Sequence, residues 1–138
     1  MIFWDRIEYD KIPKYFWKKL CPFCKNNWDE KKYIVKETKY WSIRYNKFPY
    51  YWKEKHLMAI PKKHKIYTTD LSIEELKDYK NVEKFMLEWY KWEKNYFSFI
   101  RQWIWWRSVE HLHYHYLPGH ISFDEKNKEN LSFKIKNK

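Results

Sequence analysis

Glycine is nearly absent, with one residue in 138, Gly119. Tight turns elsewhere in the chain must therefore be made without the residue that most readily takes a left-handed backbone. No apolar run approaches the 18 or so residues of a membrane span, which argues against a transmembrane helix. The first ten residues, MIFWDRIEYD, include acids and lack an apolar core, so no signal peptide is visible and a cytoplasmic address is expected. There is no internal repeat, no low-complexity segment and no sign of a second domain. Cysteine is scarce as well: the two present stand together in CPFC, Cys21 to Cys24.

What is abundant is aromatic. Ten Trp, thirteen Tyr and nine Phe make up 23% of the chain, so large rings must supply much of the core. Charged residues reach 34%, with a formal net charge of +11. A phosphate-rich partner, nucleotide or nucleic acid, would suit that charge. Because lysines are spread along the chain and interleaved with acids, general surface solvation is the plainer reading, and nucleic acid is a less favoured partner than a nucleotide.

Three regions follow: an aromatic-rich arm over residues 1–30, with a short helix around Tyr15 to Leu20; a main domain over 31–120; and a basic, solvated tail over 121–138. In KKYIVKETKYWSIRYN two strands are joined by a turn near Glu37 to Lys39. HLMAI is a short apolar strand stopped by Pro61. The periodicity predicts a helix from Ser72 to about Glu93, which Asp70 or Ser72 can cap, Ser72 with Glu75 fitting the capping box, with Ile73, Leu76, Tyr79, Val82, Phe85, Met86 and Trp89 on its apolar face. NYFSFIRQWIW and SVEHLHYHYL are two further strands. The order β-β-β-α-β-β gives an α+β domain, an antiparallel five-stranded sheet with one long helix packed on it.

EHLHYHYLPG, residues 110 to 119, sets a histidine on every second position. On an extended strand His111, His113 and His115 share one face, and Leu112, Tyr114 and Tyr116 share the other. Neighbours on one face stand roughly 7 Å apart, the width of a small anion or a metal ion. Half-exposed histidines sit harmlessly on many sheets, but three in register suit metal binding or phosphate chemistry.

HLHYHYL fits the pattern His-φ-His-φ-His-φ-φ, with φ apolar or aromatic, and so resembles the histidine triad family of nucleotide hydrolases and transferases. Upstream of the helix, HLMAIPKKH (56 to 64) looks like that family's His-φ-φ-φ-φ-Pro-Lys-Lys-His segment, and NKFPY (46 to 50) is similar to the loop before it. The resemblance implies hydrolysis of a nucleotidyl phosphoanhydride or phosphoramidate, such as a dinucleoside polyphosphate, through a covalent nucleotidyl-histidine. It implies His113 as nucleophile, His115 against the phosphate oxygens, His56 near the bridging oxygen and leaving group, and Ser108 as a hydroxyl donor to the phosphate. Asn46 matches the position that meets the ribose hydroxyls. Gln102 matches the amide before the triad strand, and Arg101 or Arg107 could instead meet the phosphates. A homodimer is the usual assembly.

CPFC keeps three readings: a redox pair, reduced structural thiols, or half of a structural Zn2+ site. Zinc-containing branches of the superfamily complete such a site with two histidines, and the matching positions are His64 and His111. The loop between Asn46 and His56 is two residues longer than usual, YYWKEK replacing a short Pro-Gly turn, and RQWIWWRS lacks the usual glycines. His at position 115, where nucleotidyltransferases of the superfamily commonly carry Gln, favours water as acceptor. The rival from another class is a nucleotide- or nucleic-acid-binding module with little turnover.

Overall fold

The computed structural model describes residues 3–4, 21, 23–24, 28–50, 52–102, 111–123 and 133–136. A short helix α1 (Trp28–Lys31) leads into strands β1 (Ile34–Glu37), β2 (Trp41–Tyr45) and β3 (Leu57–Pro61). A 3-10 turn (Thr68–Asp70) precedes helix α2 (Ile73–Trp89); β4 (Tyr96–Phe99), β5 (Tyr114–Pro118), β6 (His120–Phe123) and β7 (Phe133–Lys136) follow. The antiparallel sheet has five strands in the order β1-β2-β3-β5-β4, covered by α2, which is the α+β architecture expected. No helix among the described residues is long and apolar enough to cross a membrane.

Acidic side chains of α2 hold the β1–β2 turn and the start of the helix by hydrogen bonds. The β1–β2 turn is held from outside, because the Asp78 carboxylate accepts the Thr38 hydroxyl and the Tyr40 N–H, both at 2.7 Å. At the start of α2 the Ser72 hydroxyl accepts the Glu75 N–H and the Glu75 carboxylate accepts the Ser72 N–H, closing the expected capping box. Burial pushes both carboxyls up, yet the opposing bonds outweigh it. Those bonds come from Ser72 and Lys65 for Glu75, and from Asn81, Thr38 and Tyr40 for Asp78, and both groups end below their ordinary range. The lone glycine takes the position that needs it, φ 96° at Gly119 between β5 and β6.

Alternation along the strands sends Trp41, Ile43, Leu57, Ala59 and Tyr116 onto α2, where Val82, Met86 and Tyr90 meet them. Trp41 is fully buried and donates its indole N–H to the Glu75 carbonyl at 2.8 Å. Ser42, Arg44, Met58, Ile60 and His115 alternate to the face away from the helix. Arg44, Met58, His115 and Phe99 are register partners in succession, one row across four strands.

Four expectations are corrected. The helix ends at Trp89, not near Glu93. Its buried stripe passes through Glu75, Asp78, Val82 and Met86, while Ile73 and Leu76 are 66% and 53% exposed, because the two acids are drawn inward by the capping box and the β-turn. The triad strand begins only at Tyr114, so His111 and His113 lie in the approach to it. Part of the stretch expected as a solvated tail pairs into a two-stranded ribbon, β6 with β7, in register from His120–Lys136 to Phe123–Phe133. The helix expected around Tyr15 to Leu20 lies outside the described residues.

Candidate active site and metal centre

The approach to β5 is pinned at two points. His111 donates its Nε2–H to the Pro61 carbonyl at 2.8 Å, and the Leu112 N–H donates to the Lys65 carbonyl at 2.6 Å. Leu112 fills the core and the flanking histidines turn the other way, as the alternation requires. His113 is nearly buried, at 6% exposure, and its Nδ1–H donates to the His111 carbonyl at 2.7 Å. A neutral imidazole has one N–H, so this bond fixes the lone pair of His113 on Nε2.

His115 and His56 form a second, linked pair. The Tyr50 backbone N–H donates to His56 Nδ1 at 3.1 Å, so the neutral ring carries its proton on Nε2, which stands 2.9 Å from His115 Nδ1. The chain of donors then leaves His115 with its own N–H at Nε2. His113 and His115 meet edge to face with centroids 4.8 Å apart, and the centroids of His56 and His115 are 5.1 Å apart. Phe99 stacks on His115 at 4.8 Å and 12°, while the Tyr50 ring lies 5.4 Å from His115 and 4.6 Å from His56. The structure thus brings His56, His113 and His115 together as expected.

Asn46 is buried beside His56. Its Oδ1 accepts the Phe48 N–H at 2.8 Å, and its Nδ2 is 3.4 Å from His56 Nε2. With a proton already on that nitrogen the contact joins two donors and is not a hydrogen bond. Gln102 is placed elsewhere: its exposed carboxamide bonds Thr68 at 3.1–3.4 Å and makes no contact with the histidines among the described residues. Ser108 and Arg107 lie outside the described residues.

The remaining histidine of the triplet faces the CxxC. Cys21 Sγ and Cys24 Sγ each lie 3.4 Å from His111 Nδ1, and Cys24 Sγ is 3.1 Å from His64 Nδ1. All four ligand atoms fall within 4.8 Å of one another. With Zn–S near 2.3 Å and Zn–N near 2.0 Å, the S···N edge of a tetrahedron is about 3.5 Å, so the spacing fits a four-coordinate ion. Burial pushes the His111 ring down to about 4, helped by His64, His113 and Arg44 and opposed by the Pro61 carbonyl, so it presents a neutral lone pair at Nδ1. The Cys21 thiol is pushed up to about 11, first by burial and then by Cys24, so metal must displace a proton there. Neither cysteine is in a disulfide.

Sequence reading missed the residues that tie these two centres together. Phe23, inside the CxxC, packs edge-on against His113 at 5.2 Å and His111 at 5.8 Å. Arg44, 8% exposed, donates to the Phe23 carbonyl and the Ser42 hydroxyl at 3.2 Å, and desolvation lowers its proton affinity. Tyr50 lay within NKFPY with no sign of its contact to the histidines, and Phe99 and Arg44 left no motif to find. Only the alternation on β2 and β4 hinted at which face they would take.

No family model matches the chain, and no curated protein sequence matches it. Solved structures do share its fold. One is the Plasmodium falciparum diadenosine triphosphate hydrolase in complex with cyclomarin A, with a TM-score of 0.56, 24% identity, and 65% of this chain matched to 63% of that one. A Hit-like protein from Bartonella henselae involved in cell-cycle regulation gives 0.54 at 23% identity over 67% of this chain and 79% of its own. A HIT family hydrolase from Legionella pneumophila gives 0.52 at 22% over 64% and 81%. The chain therefore spans less than two thirds of the Plasmodium hydrolase, and what these proteins have in common with it is the histidine triad fold.

Proposed function

We propose that this protein is a histidine triad nucleotide hydrolase that cleaves a nucleotidyl phosphoanhydride or phosphoramidate through a nucleotidyl-His113 intermediate. One observation carries the reading: the His113 Nδ1–H···O=C bond to His111 leaves Nε2 as a lone pair beside two further neutral imidazoles. An imidazole held in that tautomer is a ready nucleophile toward phosphorus. Nε2 attacks the α-phosphorus and the phosphorus–leaving-group bond breaks, giving a phosphoramidate. Water then attacks the same phosphorus, the P–N bond breaks, and a nucleoside monophosphate leaves with the lone pair restored to Nε2. One water is consumed in all.

His115, with its N–H at Nε2, would donate to a non-bridging phosphate oxygen, whose charge grows in the transition state. His56 holds His115 in that tautomer and would lie near the leaving group. The Nδ2 hydrogens of Asn46, close to His56 without an acceptor there, would be available to a ribose hydroxyl. Ser108 is the proposed hydroxyl donor to the phosphate.

Cys21, Cys24, His64 and His111 would hold a structural Zn2+, which when bound cross-links the N-terminal arm to the approach of β5. Its ligand His111 supplies the carbonyl that orients His113, so metal binding and nucleophile geometry share one residue. The test is AMP release from diadenosine tetraphosphate or adenosine phosphoramidate. The wild type is expected to release AMP, and His113→Ala to lose at least about 1,000-fold, the order expected when a covalent nucleophile is removed. A wild type no faster than His113→Ala would end the reading.

A further inference from the structure

Arg101 follows Phe99, the residue stacked on His115, by two positions. Its Nη2 donates to the Tyr50 hydroxyl at 3.3 Å, and the Tyr50 ring lies against both His56 and His115. The guanidinium is thus tied to the ring that packs on both histidines. Its Nε–H is buried with no acceptor among the described residues. The ion pairs among those residues join lysines to glutamates, at Lys47–Glu30, Lys55–Glu93, Lys65–Glu75 and Lys91–Glu88, and none includes Arg101. A permanent cation, partly buried and without a carboxylate partner among the described residues, is held by the tyrosine that packs on two uncharged imidazoles. Among the described residues that arrangement lacks an anion.

We infer that Arg101 is the leaving-group site: its guanidinium, held by Tyr50 beside His56 and His115, receives an anionic polyphosphate and selects dinucleoside polyphosphates over phosphoramidates. The inference rests on the reading of His113 as nucleophile. When Nε2 of His113 displaces a nucleoside diphosphate or triphosphate, the broken P–O bond leaves one more negative charge on a group already carrying several. A planar cation with parallel N–H donors meets that charge. A phosphoramidate departs as an amine, which brings no negative charge and gains nothing from the cation. The loop carrying Tyr50 is the one that departs from the usual pattern in length, so this specificity device would belong to this chain's own loop.

The experiment is a selectivity ratio, kcat/KM for diadenosine triphosphate over kcat/KM for adenosine phosphoramidate, both followed by AMP release. Arg101→Met is expected to lower the ratio by about 10- to 100-fold, the loss expected for charge-assisted hydrogen bonds. Arg101→Gln, which keeps a donor for the Tyr50 hydroxyl, is expected to lower it similarly and covers the case in which the Met variant fails to fold. A purely structural role would slow both substrates together and leave the ratio alone; a change below about tenfold would overturn the inference. Should wild type cleave neither substrate, the nucleophile reading fails by itself. Arg101 is then judged by calorimetric titration of the protein with inorganic tripolyphosphate, expected to bind at least about tenfold more weakly to Arg101→Gln. Equal binding would overturn it.

Discussion

Replacing Cys24 by Ser removes one corner of the proposed tetrahedron and changes little else, since the Cys24 side chain is exposed and its described contacts are to the other three corners, Cys21, His64 and His111. The S···N distances of 3.1–3.4 Å are already close to the edges of a zinc site, so the fold needs little rearrangement to bind. Binding free energy then appears almost entirely as stability. With free Zn2+ buffered at 1,000 times its Kd, a ligand that binds only the folded state adds about 4 kcal/mol. For 138 residues, each kcal/mol moves the melting temperature by about 3–4 °C, which makes the increment about 12–16 °C. A serine hydroxyl stays protonated at neutral pH and is a poor ligand, so in Cys24→Ser the increment collapses. The assay is differential scanning fluorimetry of wild type and variant, each with buffered zinc and with a strong chelator, alongside metal content by mass spectrometry. If wild type melts at the same temperature with and without chelator, or if Cys24→Ser retains one zinc per chain, the four-ligand site is wrong.

The buried carboxylates of α2 predict an acid limb. Both Asp78 and Glu75 are held below the ordinary carboxylate range, so the stability they contribute is present above about pH 4 and is lost as pH falls through their lowered folded values. Urea midpoints should fall from pH 6 to pH 3, and Asp78→Asn should flatten that fall; an unchanged pH slope in the variant would contradict the role given to Asp78. Met86, with no exposed surface, packs between the sheet and α2, and Met86→Ala should cost about 2–5 kcal/mol in urea unfolding, against less than about 0.5 kcal/mol for exposed Leu87→Ala. Similar losses at both positions would mean the buried face of α2 is misassigned. Substituting His56 by Phe removes the donor that fixes the His115 tautomer and should lower kcat for AMP release more than it raises KM; an effect confined to KM would place His56 in binding alone.

What was legible in the sequence was legible through period and spacing. Two-residue alternation placed Leu112 and Tyr116 in the core and His115 opposite, and the Ser72–Glu75 box opened the helix where it begins. The four cysteine and histidine positions, scattered over 90 residues of sequence, came from resemblance to a known pattern, and they converge. Hydrophobicity misjudged Ile73 and Leu76 because it ranks residues by side chain alone. It could not know that Asp78 and Glu75 would be drawn inward to hold a glycine-free turn and a cap. Arg101 was read as a possible phosphate contact and Tyr50 as part of a matching loop, but the tie between them, like that of Arg44 to Phe23, was illegible for a related reason. Each residue matters through a partner more than 20 residues away, Phe23 for Arg44 and Arg101 for Tyr50, and no local period records such a contact.

Mass spectrometry of acid-sensitive adducts tests the central claim most directly. Protein mixed with diadenosine triphosphate and quenched within one turnover should carry a single adenylyl group on the peptide containing His113, bound through a ring nitrogen. The adduct should be missing from His113→Ala and should decay in wild type as AMP appears, since water cleaves the P–N bond. An adenylyl group found on another residue, or AMP released at the wild-type rate with no adduct on His113, would contradict the account.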